Sequence, residues 1–370
     1  MNKAIIAARW LIYRTVINVL MTLVRPRHRI SYRLTILKLD RLGDAVLSLG
    51  AVRKLLSSFR EEETLLIVSR IAAPIYHLEF PGITLLIMPA FCERFWPDFL
   101  ICMIRHAYLL RAITTETLVC LRHQHSDYLY AVALMLNSKL CYASRWEDNE
   151  EHTSLSFPKC DLCTYPTASA NTCLELEAHR RVVEKVLHLR TDITEILPYF
   201  TKVATMEGNS LLVCPVSGSP IRQYPVDRLT EAICLFLQQL TDIPVHFCLP
   251  PGTDCTPWED ALMASGLTNV QWHFPNDVES LVKLIAEARI VLAPDSAPAH
   301  IATALDKAGV FLLGGGHFGM FAPWRQSERQ RWLNHATECY QCRWNCTQTE
   351  PYCVTQIDPR EIASALYAVR

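Results

Sequence analysis

From Arg33 onward, short apolar runs alternate with longer stretches whose apolar positions recur every three or four residues. That change of period separates strands from helices. Leu34–Leu39 predicts a buried strand, followed by a helix over 44–59 carrying Val46, Leu47, Leu49, Val52, Leu55 and Leu56. Thr64–Val68 and Ile83–Met88 predict further strands, Thr117–Leu121 a fourth, and Tyr128–Leu136 an apolar helix. Residues 145–172 are polar and predict an irregular excursion, after which a helix over 178–189 leads to a linker at 190–208. The alternation then restarts. Strands are expected at 210–215, 245–249, 290–293 and 310–313, with helices at 226–240, 260–265, 278–288 and 297–305. Such alternation builds a parallel sheet covered on both faces. The expected fold is α/β, with two doubly wound, Rossmann-like domains facing a cleft, one over 34–200 and one over 201–370. Ligands in such sheets bind beyond the carboxyl ends of the strands.

The first 33 residues follow a different pattern. No Asp or Glu occurs between Met1 and Leu39, where Lys3, Arg9, Arg14, Arg25, Arg27, Arg29, Arg33 and Lys38 are basic. Ala4–Val24 is largely apolar, but Arg9, Arg14 and Asn18 interrupt it. No continuous apolar run of about 18 residues results, and no small-residue cleavage site follows. Ile5, Ile6, Leu11, Ile12, Val16, Val19, Leu20 and Leu23 approximate a helical stripe. Residues 1–33 therefore predict a basic amphipathic helix lying on an anionic membrane face. The alternative is an accessory helix packed on the protein's own core.

Half of the 370 residues are hydrophobic and a fifth are charged, which excludes a disordered chain. A net charge of −1 excludes a nucleic-acid binder that works through bulk positive charge. Most of the 15 cysteines stand singly in apolar runs, as Cys120, Cys214, Cys234 and Cys248 do, and are expected to behave as small core hydrophobes. With no export signal, a reducing compartment and no disulfide framework are expected.

Four segments carry candidate chemistry. Lys38-Leu-Asp40-Arg41-Leu-Gly43-Asp44 closes the first strand, where Gly43 suits a tight turn and Asp44 falls at or beside a helix N-terminus. Asp44 is thus a helix cap or a reactive carboxylate, and Arg41 is placed to pair with Asp40 or to reach an anionic ligand. In the corresponding loop of the second half, Ser217, Gly218 and Ser219 offer hydroxyl and N–H groups to a phosphate, with Arg222 as a fixed cation. Asp295 ends a strand, Ser296 is a natural N-cap, and Pro298 falls in the first helical turn. His300 alone reads more often as a packed core histidine than as a ligand-binding one. Gly314-Gly315-Gly316-His317-Phe-Gly319 has dinucleotide spacing, but Pro323 and Trp324 follow in place of a helix, so a ligand-covering glycine loop is expected.

In this order the segments resemble the ADP-heptose:lipopolysaccharide heptosyltransferase family, glycosyltransferase family 9, over residues 34–370. The resemblance implies the GT-B fold. Asp44 matches the family's proposed catalytic base. Arg222 matches a position usually held by lysine that faces the donor phosphates, with Ser217 and Gly218 before it. Asp295, Ser296 and Ala297 match a commoner Asp-Thr-Gly that contacts the donor, and His300 matches the family histidine. Arg for Lys keeps the charge but changes its geometry.

Cys339, Cys342, Cys346 and Cys353 open with C-x2-C and resemble a tetrahedral thiolate site for structural zinc or iron. The alternative is buried or redox-idle thiols. Some members of the resembled family carry a cysteine-bound metal near this end. Cys160 and Cys163 form a weaker pair.

These readings imply an inverting glycosyltransferase that moves a heptose or related sugar from a nucleotide-sugar donor, such as ADP-heptose, to a lipopolysaccharide or other surface glycan. Asp44 would act as base, and Arg222, Ser217, Gly218, Ser219 and the helix start at Ser296 would hold the leaving diphosphate, with no cofactor for transfer. The acceptor is expected to be a glycan or lipid-linked molecule, and the enzyme to be cytoplasmic and peripheral on the inner face of the cytoplasmic membrane, with no nucleic-acid partner. A protein O-heptosyltransferase and a non-catalytic nucleotide-sugar-binding assembly partner are the alternatives. Asp44 argues against the second, because a binder needs no base.

Overall fold

Two units divide the chain, Met1–Thr167 with Glu175–Ile196, and Ala168–Leu174 with Leu197–Arg370. In the computed structural model the described residues are 3–90, 96–122, 126–146, 155–157, 160–165, 174–240, 242–267, 269–325, 327–339 and 341–370.

The first unit runs α1 (Lys3–Leu23), β1 (Ile30–Lys38), α2 (Leu42–Leu56), β2 (Thr64–Ser69), α3 (Ala73–Glu79), β3 (Thr84–Met88), α4 (Trp96–Ala112), β4 (Ile113–Cys120), α5 (Asp127–Met135), β5 (Asn137–Trp146), β6 (Cys160–Tyr165) and α6 (Leu174–Leu187). Its six strands are ordered β3-β2-β1-β4-β5-β6, and every pair is parallel. All of β2 is buried, as a strand covered on both faces requires. Strand order reverses direction at β1 and β4, which opens a crevice at their carboxyl ends.

Two expectations for this unit are corrected. The stretch 145–172 is not wholly irregular, because it contains the end of β5 and all of β6, with Cys141 opposite Cys160. Both strands lie toward a sheet edge, where Leu140 and Leu162 are exposed and no continuous apolar run is needed. Residues 147–154, 158–159 and 166–172 of that stretch lie outside the described residues. The 17-residue α4 was not foreseen. It buries Phe99, Cys102, Met103 and Leu110 but also exposes Ile101, Ile104, Tyr108 and Leu109, which erases the polar half of its period.

Helix α1 packs on this unit through Tyr13 and Ile17, both buried in its core cluster. The Tyr13 ring lies 4.0 Å from that of Phe99, centroid to centroid. Packing on the protein's own core is therefore part of what α1 does, while Leu11, Ile12, Val19 and Leu23 face outward. Among the described residues no helix is long and apolar enough to cross a membrane.

The second unit runs β7 (Leu211–Val213), α7 (Val226–Leu237), β8 (Val245–Cys248), α8 (Thr256–Ala264), β9 (Val270–His273), α9 (Val278–Glu287), β10 (Ile290–Pro294), α10 (Ala297–Ala304), β11 (Ala308–Leu312), β12 (Gln330–Leu333), α11 (Tyr352–Thr355) and α12 (Pro359–Val369). The parallel strands are ordered β12-β11-β10-β7-β8-β9, so the reversal falls between β7 and β10. The edge strands β9 and β12 are short and carry exposed polar positions, Gln271 and Arg331, which hid them from the apolar pattern. In α12, Ile362, Leu366 and Val369 recur at helical spacing and are buried in the core of this unit.

Candidate functional site

Each unit gathers its ionisable side chains at the crevice its topology opens. In the first, β1 ends at Lys38, whose side chain is fully buried. Its ammonium donates to the Leu121 carbonyl at 2.6 Å and to Glu175 Oε1 at 2.7 Å, and lies 3.0 Å from Asp40 Oδ2. Burial alone would push Lys38 down, yet Asp40, Glu175 and Asp44 hold it above its ordinary value. Asp40 also accepts the Arg122 guanidinium at 2.8 Å. From α6, His179 Nε2 lies 2.8 Å from the Leu121 carbonyl and 3.2 Å from Glu175 Oε1.

Asp44 stands in the first turn of α2 and accepts the Arg41 backbone N–H at 3.2 Å. A carboxylate there is favoured by the helix dipole. Burial nonetheless raises its pKa, as do Asp40 and Glu175, against the opposing pull of Lys38 and the Arg41 N–H. The capping role read from the sequence is thus seen at Asp44, which accepts from the N-cap backbone of α2. Arg41 takes the N-cap position, with its side chain exposed. Gly43 is helical within α2, without the positive φ expected of a tight turn. Lys38, Arg122, Glu175 and His179 were not singled out from sequence. Lys38 and Asp40 lay inside a quoted motif, but Arg122, Glu175 and His179 reach the site only through the fold.

In the second unit, the loop after β7 holds Ser217, Gly218 and Ser219. Ser217 Oγ donates to the Ser219 carbonyl at 2.5 Å, which closes the loop on itself. Arg222 ends a short 3-10 turn, Pro220–Arg222, and its Nη1 donates to the Asp295 carbonyl at 2.8 Å and lies 3.5 Å from Asp295 Oδ2. Asp295 follows β10 and is buried. It meets His317 Nδ1 at 2.6 Å and His300 Nε2 at 3.8 Å. Burial would raise the Asp295 pKa, but His317, Arg222 and His300 hold it well below the usual carboxylate range. Burial lowers His300 to about 4, and Trp324 Nε1 donates to its Nδ1 at 3.2 Å. The His300 proton therefore sits on Nε2, toward Asp295. His300 is packed, as a core histidine would be, and lies beside Asp295.

Ser296 takes the N-cap position of α10, but its hydroxyl turns back to the Pro294 carbonyl at 3.1 Å and does not cap the helix. Ala297 opens the helix. His317, on the glycine loop, is the residue that sequence reading missed here. Its only signal was its place among glycines.

The cysteine segment underlies that glycine loop. A Cβ at Gly314 would lie 2.1 Å from the Trp344 ring, and one at Gly316 would lie 2.8 Å from it, so these glycines allow the loop to rest on the indole. The His317 ring meets Trp344 edge-on at 5.3 Å. Cys353 is buried in the core cluster of this unit, while Cys339, Cys342 and Cys346 are partly exposed. Burial raises the Cys342 thiol, and Cys339 and Cys346 add to the shift, so these thiols share one neighbourhood. Four thiols suit a thiophilic ion by donor chemistry. Among the described residues, no group of three or more His, Cys, Asp or Glu side chains already stands as a ligand set.

Residues 263–352, which include the Asp295 loop, the glycine loop and three of the four clustered cysteines, match the family described as glycosyltransferase family 9 (heptosyltransferase). Curated proteins give no match. Among solved structures the chain is similar to the family 9 glycosyl transferase of Veillonella parvula, at 12% identity and a TM-score of 0.67 over 92% of this chain and 98% of that one. It is similar to E. coli ADP-heptose lps heptosyltransferase II at 15% identity and a TM-score of 0.62, over 91% and 98% of the two chains. A third likeness is to the iron-containing dodecameric glycosyltransferase TibC from enterotoxigenic E. coli, at 12% identity and a TM-score of 0.53, over 92% and 77%. The structural likenesses carry the fold expected from the sequence, and the match to glycosyltransferase family 9, over residues 263–352, falls on the segment holding the second-unit site.

Proposed function

We propose that this chain transfers a heptose or related sugar from a nucleoside-diphosphate donor to a glycan acceptor with inversion, and that Asp44 is the general base. The observation that carries this reading is the place of the Asp44 carboxylate, in the first turn of α2 after β1 and beside the cluster of Lys38, Asp40 and Glu175. A base is most useful when its pKa approaches the working pH. The acceptor hydroxyl loses its proton to Asp44 as its oxygen bonds to the anomeric carbon. The bond from that carbon to the diphosphate oxygen breaks, and the electron pair leaves with the nucleoside diphosphate.

The second unit holds the donor in this reading. Arg222 has five N–H donors, and its fork is fixed in place through the Asp295 carbonyl. The Ser217–Ser219 loop and the start of α10 supply further N–H groups toward the phosphates. Relatives of this fold are named for ADP and ADP-heptose, which makes ADP-heptose the first donor to assay. A lipopolysaccharide or lipid-linked acceptor at the inner face of the cytoplasmic membrane fits the basic, outward-facing N-terminal region.

The test is Asp44→Asn, with turnover and donor binding measured together. Loss of a positioned base is expected to cost turnover roughly 10²–10⁴-fold, with donor affinity little changed. Turnover near wild type would reduce Asp44 to a helix cap.

Cys339, Cys342, Cys346 and Cys353 are the residues that would hold a zinc or iron ion. A four-thiolate ion leaves no open position, so it would supply structure and no chemistry. Elemental analysis of protein purified without chelator is expected to find near-stoichiometric metal, and removing the metal to lower the melting temperature. Metal-free protein with four freely titratable thiols would refute the site.

A further inference from the structure

The structure also carries a site that transfer does not use. Where the chain leaves α1 and passes the end of α4, Met21, Thr22, Val24, Arg25, Pro26, Arg29 and Arg111 line a pocket of ≈ 350 Å³. Three of these seven are arginines. No Asp or Glu precedes Asp40 in the sequence, and among the described residues none of the three arginines forms an ion pair. Arg111 Nε is buried with no hydrogen-bond partner. The Arg27 backbone N–H donates to the Tyr108 hydroxyl at 3.3 Å, which ties this segment to α4.

Three guanidiniums with no counter-ion among the described residues call for an anion with several acceptor oxygens, since the guanidinium fork matches phosphate geometry. The surroundings say which kind of phosphate. Leu23, between the lining residues Thr22 and Val24, is 73% exposed. On α4, Ile101, Ile104 and Tyr108 form one exposed stripe at helical spacing, with Leu109 beside it. A water-soluble phosphate compound has no use for exposed apolar stripes, whereas a bilayer receives both features at once. Apolar side chains enter the acyl boundary and arginines take the headgroups.

We propose that the Arg25–Arg29–Arg111 pocket binds the phosphate of an anionic phospholipid, with the outward faces of α1 and α4 seated in the bilayer surface around it. This gives the membrane placement proposed above a defined site, and it is independent of the transfer chemistry.

The test uses the full chain and vesicles of phosphatidylcholine with or without phosphatidylglycerol. Wild type is expected to co-sediment with the anionic vesicles, to be released as salt rises, and to leave the neutral vesicles unbound. Arg25→Gln/Arg29→Gln/Arg111→Gln is expected to weaken vesicle binding on the order of 100-fold, with transfer to a detergent-dispersed acceptor unchanged. Should that variant fail to fold, Arg25→Gln/Arg29→Gln alters only exposed positions and is expected to lose binding in the same direction. Undiminished vesicle binding by the variants, or none by wild type, overturns the proposal. So does full release of wild type by millimolar glycerol phosphate, which would make the occupant a soluble phosphate. Failure of transfer with vesicle binding intact strikes the proposed function alone.

Discussion

The two units share a strand order and a crevice position, yet they tune their carboxylates in opposite directions. Around Lys38 the first unit packs three acids, Asp40, Asp44 and Glu175, against two cations, Lys38 and Arg122. Asp44 is left with too little positive charge to offset its burial, and its pKa rises. The second unit surrounds one acid, Asp295, with Arg222, His300 and His317, and its pKa falls. A raised carboxylate can accept a proton in a reaction, whereas a depressed one stays charged and serves to hold cations in position. The effects on stability also differ in sign. Asp295 contributes stability that is present above the ordinary aspartate pKa and is lost as pH falls toward its lowered value. Asp44 contributes most at low pH, and that contribution is lost as pH rises through its raised pKa.

The largest expected effect comes from removing the cation on which the first cluster depends. Lys38→Met would leave Asp40 and Glu175 buried without the ammonium that now joins them. Breaking a buried pair from one side costs about 3–5 kcal/mol, so a marked drop in melting temperature is expected. In the protein that still folds, the acid limb of the rate profile is expected to move to higher pH, because Lys38 lowers Asp44. A variant with wild-type stability would show that the three acids do not need Lys38.

The second cluster is broken most directly at Arg222. Its contact to Asp295 is made largely through the backbone carbonyl, so Arg222→Ala is expected to spare the fold better than Lys38→Met does. Charge-assisted contacts to phosphate contribute roughly 1.5–3 kcal/mol. Calorimetry is therefore expected to show nucleoside diphosphate and donor weakened together, by about ten- to a hundred-fold. Unchanged nucleotide affinity would leave Arg222 as a partner of Asp295 only.

The comparison also explains what could be read from sequence. Strands buried on both faces, such as Leu65–Val68 and Ile290–Pro294, are continuous apolar runs and were legible. So were the positions of Asp295, beside the end of β10, and of Asp44, just after β1, because the turn after a buried strand has few places to go. Edge strands β6, β9 and β12 were not, since one open side removes the need for an apolar run. Helix α4 was hidden for the opposite reason, being apolar on its outward face as well. Glu175 and His179 sit on a helix more than 130 residues beyond Lys38 in the chain, and His317 lies 22 residues beyond Asp295. Such partners are joined by topology, and no local pattern marks them.

The smallest expected effect, and the sharpest on mechanism, is that of Glu175→Gln. Glu175 is almost fully buried, and its charge is one of the groups that raise Asp44. Glutamine keeps an oxygen able to accept from Lys38 Nζ, while Asp40 stays beside the ammonium to balance it. Removing the Glu175 charge alone is therefore expected to lower the Asp44 pKa and move the acid limb of kcat/KM to lower pH. The plateau should fall slightly, because a weaker base transfers a proton less readily. Donor affinity belongs to the second unit in the proposed mechanism and should not change. A residue that acts only by packing would depress the plateau and leave the limb where it is. An unmoved limb would therefore place Glu175 among the supports of Lys38, outside the tuning of the base.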